Sequence, residues 1–271
     1  MVSGQLLEVM GIGKAVLLTL LFLIFELALQ LISYSIFDPW TYIENEHIRG
    51  LTIIIARVTA YLILFYFFWK PKSEILSFRL EKLNIPVIVL LFLIILGTEF
   101  LNRPFADLDR LFDATRVNYF YEGYSTLQVY GTITALLVAP VFEELFFRKF
   151  LFQKLLLKNG FLTVILVSSF LFSIIHWETP LNLIPAFIFG LISAFIFYRT
   201  GNIIYCILLH LLYNACSQLI YYKAKLYSEW LNWLNFGIIY WTLFAFGILI
   251  ILFALQKIPN TRSLDLPKND N

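Results

Sequence analysis

Apolar residues fall into eight long runs, at roughly 14–36, 51–69, 85–101, 127–147, 161–177, 181–198, 203–222 and 232–256. Each is long enough, or nearly so, to carry a helix through about 30 Å of hydrocarbon. The pattern predicts an all-α polytopic membrane bundle of about eight transmembrane helices, forming one domain over residues 1–258. The polar segment 259–271, with Pro259 and Pro267, reads as a disordered tail. The first run is not a removable signal peptide. It exceeds twenty residues, holds Glu26 and ends at Phe37-Asp38-Pro39 without a small-residue cleavage site. The longest connection, 102–126, carries Asp107, Asp109, Asp113 and Glu122, and is read as a solvated outer loop in preference to an interfacial helix.

Composition narrows the class. The chain is 60% hydrophobic and 14% charged, against about 45–50% and 25% in soluble domains. A soluble core of this size cannot hide that much apolar surface. A net charge of +2 leaves no electrostatic footprint for nucleic acid. Cys206 and Cys216 share one apolar run, so neither a disulfide framework nor a Cys-based metal site is indicated. With the N-terminus inside, inner segments hold thirteen Lys and Arg and outer loops six. That imbalance places both termini in the cytoplasm.

Ionisable residues within membrane spans are costly and mark functional positions. Here they are Glu26, Arg57, Glu99, Glu143, Glu144, Arg148, His176 and His210, with Asn214 as a neutral companion. On the fourth run, Glu144 and Arg148 stand i,i+4 and can pair. Glu143 points about 100° away and is left for chemistry, while Pro140 should bend the helix one turn earlier. His176 ends the fifth run. On the seventh, His210 and Asn214 share one helix face at i,i+4. A carboxylate, two imidazoles and an amide form a hydrolytic inventory. Glu takes a proton from water, His shares that task or protonates a leaving amine, and a His–Asn pair can donate to a developing oxyanion. Glu143, His176 and His210 are equally a set that can hold Zn²⁺ with an open water position. They lack the HExxH spacing of zincins.

Glu143-Glu144…Arg148, Phe172…His176 and His210…Asn214, in this order on separate spans, resemble the CAAX protease and bacteriocin-processing family. That family of intramembrane proteases includes the Ras-converting CAAX prenyl endopeptidase. The turn Tyr198-Arg199-Thr200-Gly201-Asn202-Ile203-Ile204 is also similar to one common in bacterial members. The likeness covers about 135–218, within an expected family core of 127–222. It implies that Glu143, assisted by His176, activates water against a peptide carbonyl. His210 and Asn214 would stabilise the oxyanion, and Glu144 and Arg148 would hold the site in shape. Metal-independent attack is favoured because four residues already fill the base and oxyanion roles, with zinc as the alternative. The implied partners are a peptide or protein substrate, membrane-anchored and lipidated ones included, and the lipid bilayer of a prokaryotic cell membrane. The cavity is expected to open to the cytoplasm.

Two other classes fit parts of this inventory. A proton-coupled transporter also needs buried Glu, His and Arg, but it should show an inverted repeat with broken helices, and none is visible. A non-catalytic scaffold or immunity factor of the same family would be favoured by a missing motif residue, and none is missing. Straight-span counting raises one difficulty: it sets Glu143 towards the cytoplasmic side and His176 near the opposite end of its helix.

Overall fold

A computed structural model describes residues 10–37, 43–69, 83–107, 125–177 and 180–261. Nine helices account for most of them, and no strand occurs among the described residues. In chain order they are α1 (Ile12–Ile36), α2 (Glu46–Leu64, continued by a π turn Phe65–Trp69), α3 (Ile85–Ala106) and α4 (Thr126–Leu156). There follow α5 (Phe161–Ile174), α6 (Leu183–Thr200), α7 (Ile203–Tyr222), α8 (Ala224–Leu234) and α9 (Ile238–Lys257). Seven of these are long and apolar enough to cross a membrane, and α5 is a shorter apolar helix. The chain is an all-α, multi-pass integral membrane protein.

The eight expected runs each coincide with a helix, with three corrections. The fourth run extends well past 147, because α4 is 31 residues long. Arg148, which looks like a span exit, is fully buried within it. The fifth is only 14 residues and ends at Ile174. The eighth begins at Ile238, since α8 ends at Asn235 in the left-handed region (φ 44°), a usual stop for a helix. The expected outer loop lies, beyond Asp107, outside the described residues. So does the tail beyond Thr261. The chain is held where that tail begins: Ile258 is buried, the Arg199 guanidinium donates to its carbonyl at 2.8 Å, and Thr261 N–H donates to Arg199 O at 3.1 Å.

In lipid, apolar burial does not drive helices together, so close approach and polar bonds decide their packing. The most extensive pair, α3 against α9, crosses at two glycines. A Cβ on Gly247 would stand 2.6 Å from the Gly97 carbonyl oxygen. Between α5 and α6, a Cβ on Gly190 would stand 3.0 Å from Ser169 Cα. The turn from α6 to α7 runs through Gly201 at φ 68°, where a side chain would be strained. Asn202 then caps α7 by accepting from Ile204 N–H at 2.9 Å. That turn fixes the rotation of α7 and with it His210.

Candidate active site

Helix α4 carries the acidic half of the site and is irregular for a readable reason. It starts with a capping box: Ser125 accepts from Gln128 N–H, and the Gln128 side chain accepts from Ser125 N–H. A π stretch, Thr134–Val138, follows before Pro140. There Ala139 N–H bonds five residues back to Thr134 O. The next bond of that series would join residue 140 to Ala135 O, but proline has no N–H. The freed carbonyl accepts from Asn214 Nδ2 on α7 at 2.6 Å. The proline thus sets up an interhelical bond that positions one of the four expected site residues. Such π irregularities are frequent at functional sites.

Straight-span counting had separated Glu143 from His176, and the observed helix lengths remove the conflict. Glu143 lies thirteen residues before the end of α4, about 20 Å deep at 1.5 Å per residue. His176 lies fifteen residues after the start of α5 at the same end of the bundle, about 22 Å deep. The two therefore reach the same level of the bundle. The Nε2 atom of His176 is 3.9 Å from Glu143 Oε2, and that of His210 is 4.0 Å from the same oxygen.

Behind this group is a buried polar network. Glu144 and Arg148 are both fully buried, with Arg148 Nε 3.1 Å from Glu144 Oε2. Ser193 on α6 donates to that same oxygen at 2.7 Å and accepts from Arg148 Nε at 3.2 Å. The other oxygen of Glu144, Oε1, lies 3.1 Å from His210 Nδ1. The Arg148 guanidinium sits over the Phe172 ring at 4.9 Å. Phe172 also packs edge-on to His210, and its carbonyl meets His176 Nδ1 at 2.9 Å.

These contacts assign the tautomers. A carbonyl or carboxylate oxygen only accepts here, so Nδ1 carries the proton on both rings. In the neutral form of each ring, Nε2 is then an acceptor facing Glu143. Glu143 Oε2 is itself buried and has no hydrogen-bond partner. Three acceptors converge on one point, an arrangement that suits a donor between them.

The zinc alternative was tested on the same atoms. Tetrahedral zinc with ligands at 2.0–2.2 Å holds its ligand atoms about 3.4 Å apart. The two Nε2 atoms stand 3.9 and 4.0 Å from the carboxylate. Among the described residues, no group of three or more His, Cys, Asp or Glu side chains is arranged to hold a metal ion.

The group forms the floor of a cavity of about 630 Å³ lined by Glu143, His176, His210 and Asn214, with Arg57, Thr132 and Tyr213 among the walls. Its upper wall is Gln128, Gln218 and Tyr221, at the start of α4 and the end of α7. These belong to the end of the bundle opposite Met10 and Thr261. A second cavity, lined by Arg103, Ala106 and Pro185 among others, shares Asn182, Tyr213 and Ser217 with the first.

Of the remaining intramembrane ions, Glu26 accepts from Arg57 at 2.7 Å, and Glu99 from Arg103 at 2.8 Å. The first pair joins two charges that the sequence pattern marked without partnering; the second joins Glu99 to Arg103, which the pattern assigns to the outer connection but which lies in α3. Ser193 went unmarked. Its only signal was a hydroxyl three residues after Gly190 in an apolar run, which reads equally well as small-residue packing.

Residues 125–216 match the family described as Type II CAAX prenyl endopeptidase Rce1-like. A Bacillus subtilis (strain 168) protein named "Putative membrane peptidase YdiL" is 35% identical over 83 residues, which is 31% of this chain. The match spans about a third (34%) of that relative's length. No solved structure matches. Helices α4 to α7, which hold every motif position from Glu143 to Asn214, carry the segment that is similar to this family.

Proposed function

We propose that this protein is an intramembrane endopeptidase that hydrolyses a peptide bond with water activated at Glu143. The observation that supports this most is the unpartnered Glu143 carboxylate oxygen at the cavity floor, faced at 3.9 and 4.0 Å by the Nε2 atoms of His176 and His210. A gap of that size is too long for a direct hydrogen bond and suits one bridging water. That water donates one proton towards Glu143 and the other towards a bare Nε2.

In this reading Glu143 takes a proton as the water oxygen bonds to the peptide carbonyl carbon. Negative charge moves to the carbonyl oxygen. Asn214 has committed one amide hydrogen to Ala135 O and offers the other to that oxygen. His210 holds its Nδ1–H against Glu144, so in the resting state its Nε2 accepts. A proton taken up from solvent at Nε2 before attack, and returned to solvent as the products leave, makes it a donor to the oxyanion, and the Glu144 carboxylate stabilises the imidazolium. The proton held by Glu143 or His176 then passes to the amide nitrogen. The C–N bond breaks, leaving a carboxylate and an amine. Arg148 and Ser193 keep Glu144 ionised and aimed. No step is assigned to a metal, because the chain's own groups supply base and oxyanion donors.

The charge imbalance between loops favours cytoplasmic termini, and the substrate is a peptide or protein of the membrane. Comparing newly formed termini in membranes carrying wild-type protein or Glu143→Gln tests the reading. Fragments present only with wild-type protein are expected; identical fragment sets would refute it.

A further inference from the structure

We propose that the cavity is entered from the non-cytoplasmic face of the membrane and takes an extended, uncharged polypeptide segment exposed on that side. This deepens the endopeptidase reading and rests on it for the chemistry, though not for the direction of entry.

Two independent sets of observations meet. The first is which ends of the helices lie together. At one end, Met10 N–H donates to Lys154 O at 3.3 Å and Thr261 N–H to Arg199 O at 3.1 Å. Asn84 N–H donates to Tyr205 Oη there as well, at 2.8 Å. At the other, Leu127 N–H donates to Glu46 at 3.1 Å, Gln128 Nε2 to Tyr221 Oη at 2.6 Å, and Tyr227 Oη to Asp107 at 2.7 Å. The first end carries Lys14, Lys154, Lys158, Arg199 and Lys257, with no Asp or Glu among its described residues. The second carries Arg49, Arg103, Lys223 and Lys225, and in the sequence the connection 70–82 adds Lys70, Lys72, Arg79 and Lys82 to the first end while 108–124 adds only Arg110 and Arg116 to the second. Positive charge is retained on the cytoplasmic side, so the first end is cytoplasmic.

The second set is the lining of the cavity. It rises from Glu143, His176 and His210 to Gln128, Thr132, Gln218 and Tyr221, all towards the second end. Thr132 donates to Gln218 at 3.0 Å, so α4 and α7 are pinned together beside the entrance. Among the described residues no charged side chain lies in this upper wall, and the ions of the lining, Arg57 and Glu143, lie deeper. Tyr221 lies eleven residues beyond His210, about 16 Å along α7. An extended chain covers that distance in about five residues. A cavity of about 630 Å³ has the size of an ordinary ligand pocket, so it takes a strand of a few residues and not a helix. The substrate class is therefore an exported or membrane-anchored polypeptide with an unfolded, uncharged stretch next to the outer surface.

Direction of entry is read by thiol labelling, which needs no turnover. In a Cys216→Ser background, Gln218→Cys marks the entrance, Lys223→Cys its end of the bundle, and Lys158→Cys the opposite end. A membrane-impermeant maleimide added to intact cells should label Gln218→Cys and Lys223→Cys and should reach Lys158→Cys only after permeabilisation. Labelling of Lys158→Cys alone in intact cells would overturn the orientation. Labelling of Lys223→Cys with Gln218→Cys protected would overturn the entrance. Failure of the protease reading, seen as undiminished cleavage by Glu143→Gln, would leave all of these patterns unchanged.

Discussion

Removing the Glu144 carboxylate separates its two roles, which differ in sign when Arg148 is removed as well. Arg148 is fully buried, and its named polar partners are Glu144 at 3.1 Å and Ser193 at 3.2 Å. In Glu144→Ala the guanidinium keeps the Ser193 hydroxyl and the Phe172 ring face, and its charge is uncompensated in an apolar setting. Breaking such a pair from one side costs about 3–5 kcal/mol. At about 2–4 °C per kcal/mol, the melting temperature in detergent should fall by roughly 6–20 °C. The double variant Glu144→Leu/Arg148→Met replaces the pair with apolar groups of similar volume, which is commonly neutral or stabilising, so most of the loss should return. Activity should not return with it, because His210 Nδ1 has lost the acceptor that fixes its tautomer. Thermal unfolding and turnover of all three proteins give the comparison. A Glu144→Ala protein that melts like wild type would refute the buried pair, and a double variant as active as wild type would refute the role of Glu144 in orienting His210.

Glu143→Gln should abolish cleavage while leaving the melting temperature near wild type, since the amide is close in shape but cannot act as a base; a peptidase assay beside a melting curve checks both. His210→Ala and Asn214→Ala should each raise the barrier by about 2–4 kcal/mol with little change in substrate affinity if they donate to the oxyanion, which separate measurement of kcat and KM shows. Gly247→Leu should lower stability and yield, because its side chain meets the Gly97 carbonyl at the α3–α9 crossing, whereas Gly131→Ala, with open space at its Cβ position, should leave both unchanged. Ser193→Ala should lower activity less than Glu144→Ala, because Arg148 still holds the Glu144 oxygen that Ser193 bonded.

The apolar runs revealed the helices because hydrocarbon demands about twenty apolar residues per crossing. They did not reveal where α4 and α5 stop. Arg148 and Lys149 look like a span leaving the membrane, yet the charge of Arg148 is balanced internally by Glu144, with Ser193 accepting a hydrogen bond from it. Between Phe161 and Trp177 no proline or glycine marks the end of α5 at Ile174, so a helix of 14 residues looked like one long enough to cross. The motif spacing showed which residues share a helix face, hence the pairing of Glu144 with Arg148. It could not show the contacts between helices, such as His210 with Glu144 or Asn214 with Ala135. The bend expected at Pro140 is a π stretch whose freed carbonyl found a partner 79 residues away. The motif spacing could not show that the cavity lining rises towards the start of α4 and the end of α7, because that depends on how the two helices flank the site.

Hydrolysis at Glu143 is tested most directly with H₂¹⁸O. Wild-type protein and Glu143→Gln would be reconstituted in vesicles with a library of single-span peptides and the products weighed by mass spectrometry. Water attack predicts one ¹⁸O in each new C-terminal carboxylate with wild-type protein and no product with Glu143→Gln. Labelled product at an undiminished rate from Glu143→Gln, or no cleavage of any peptide by wild-type protein, would contradict it.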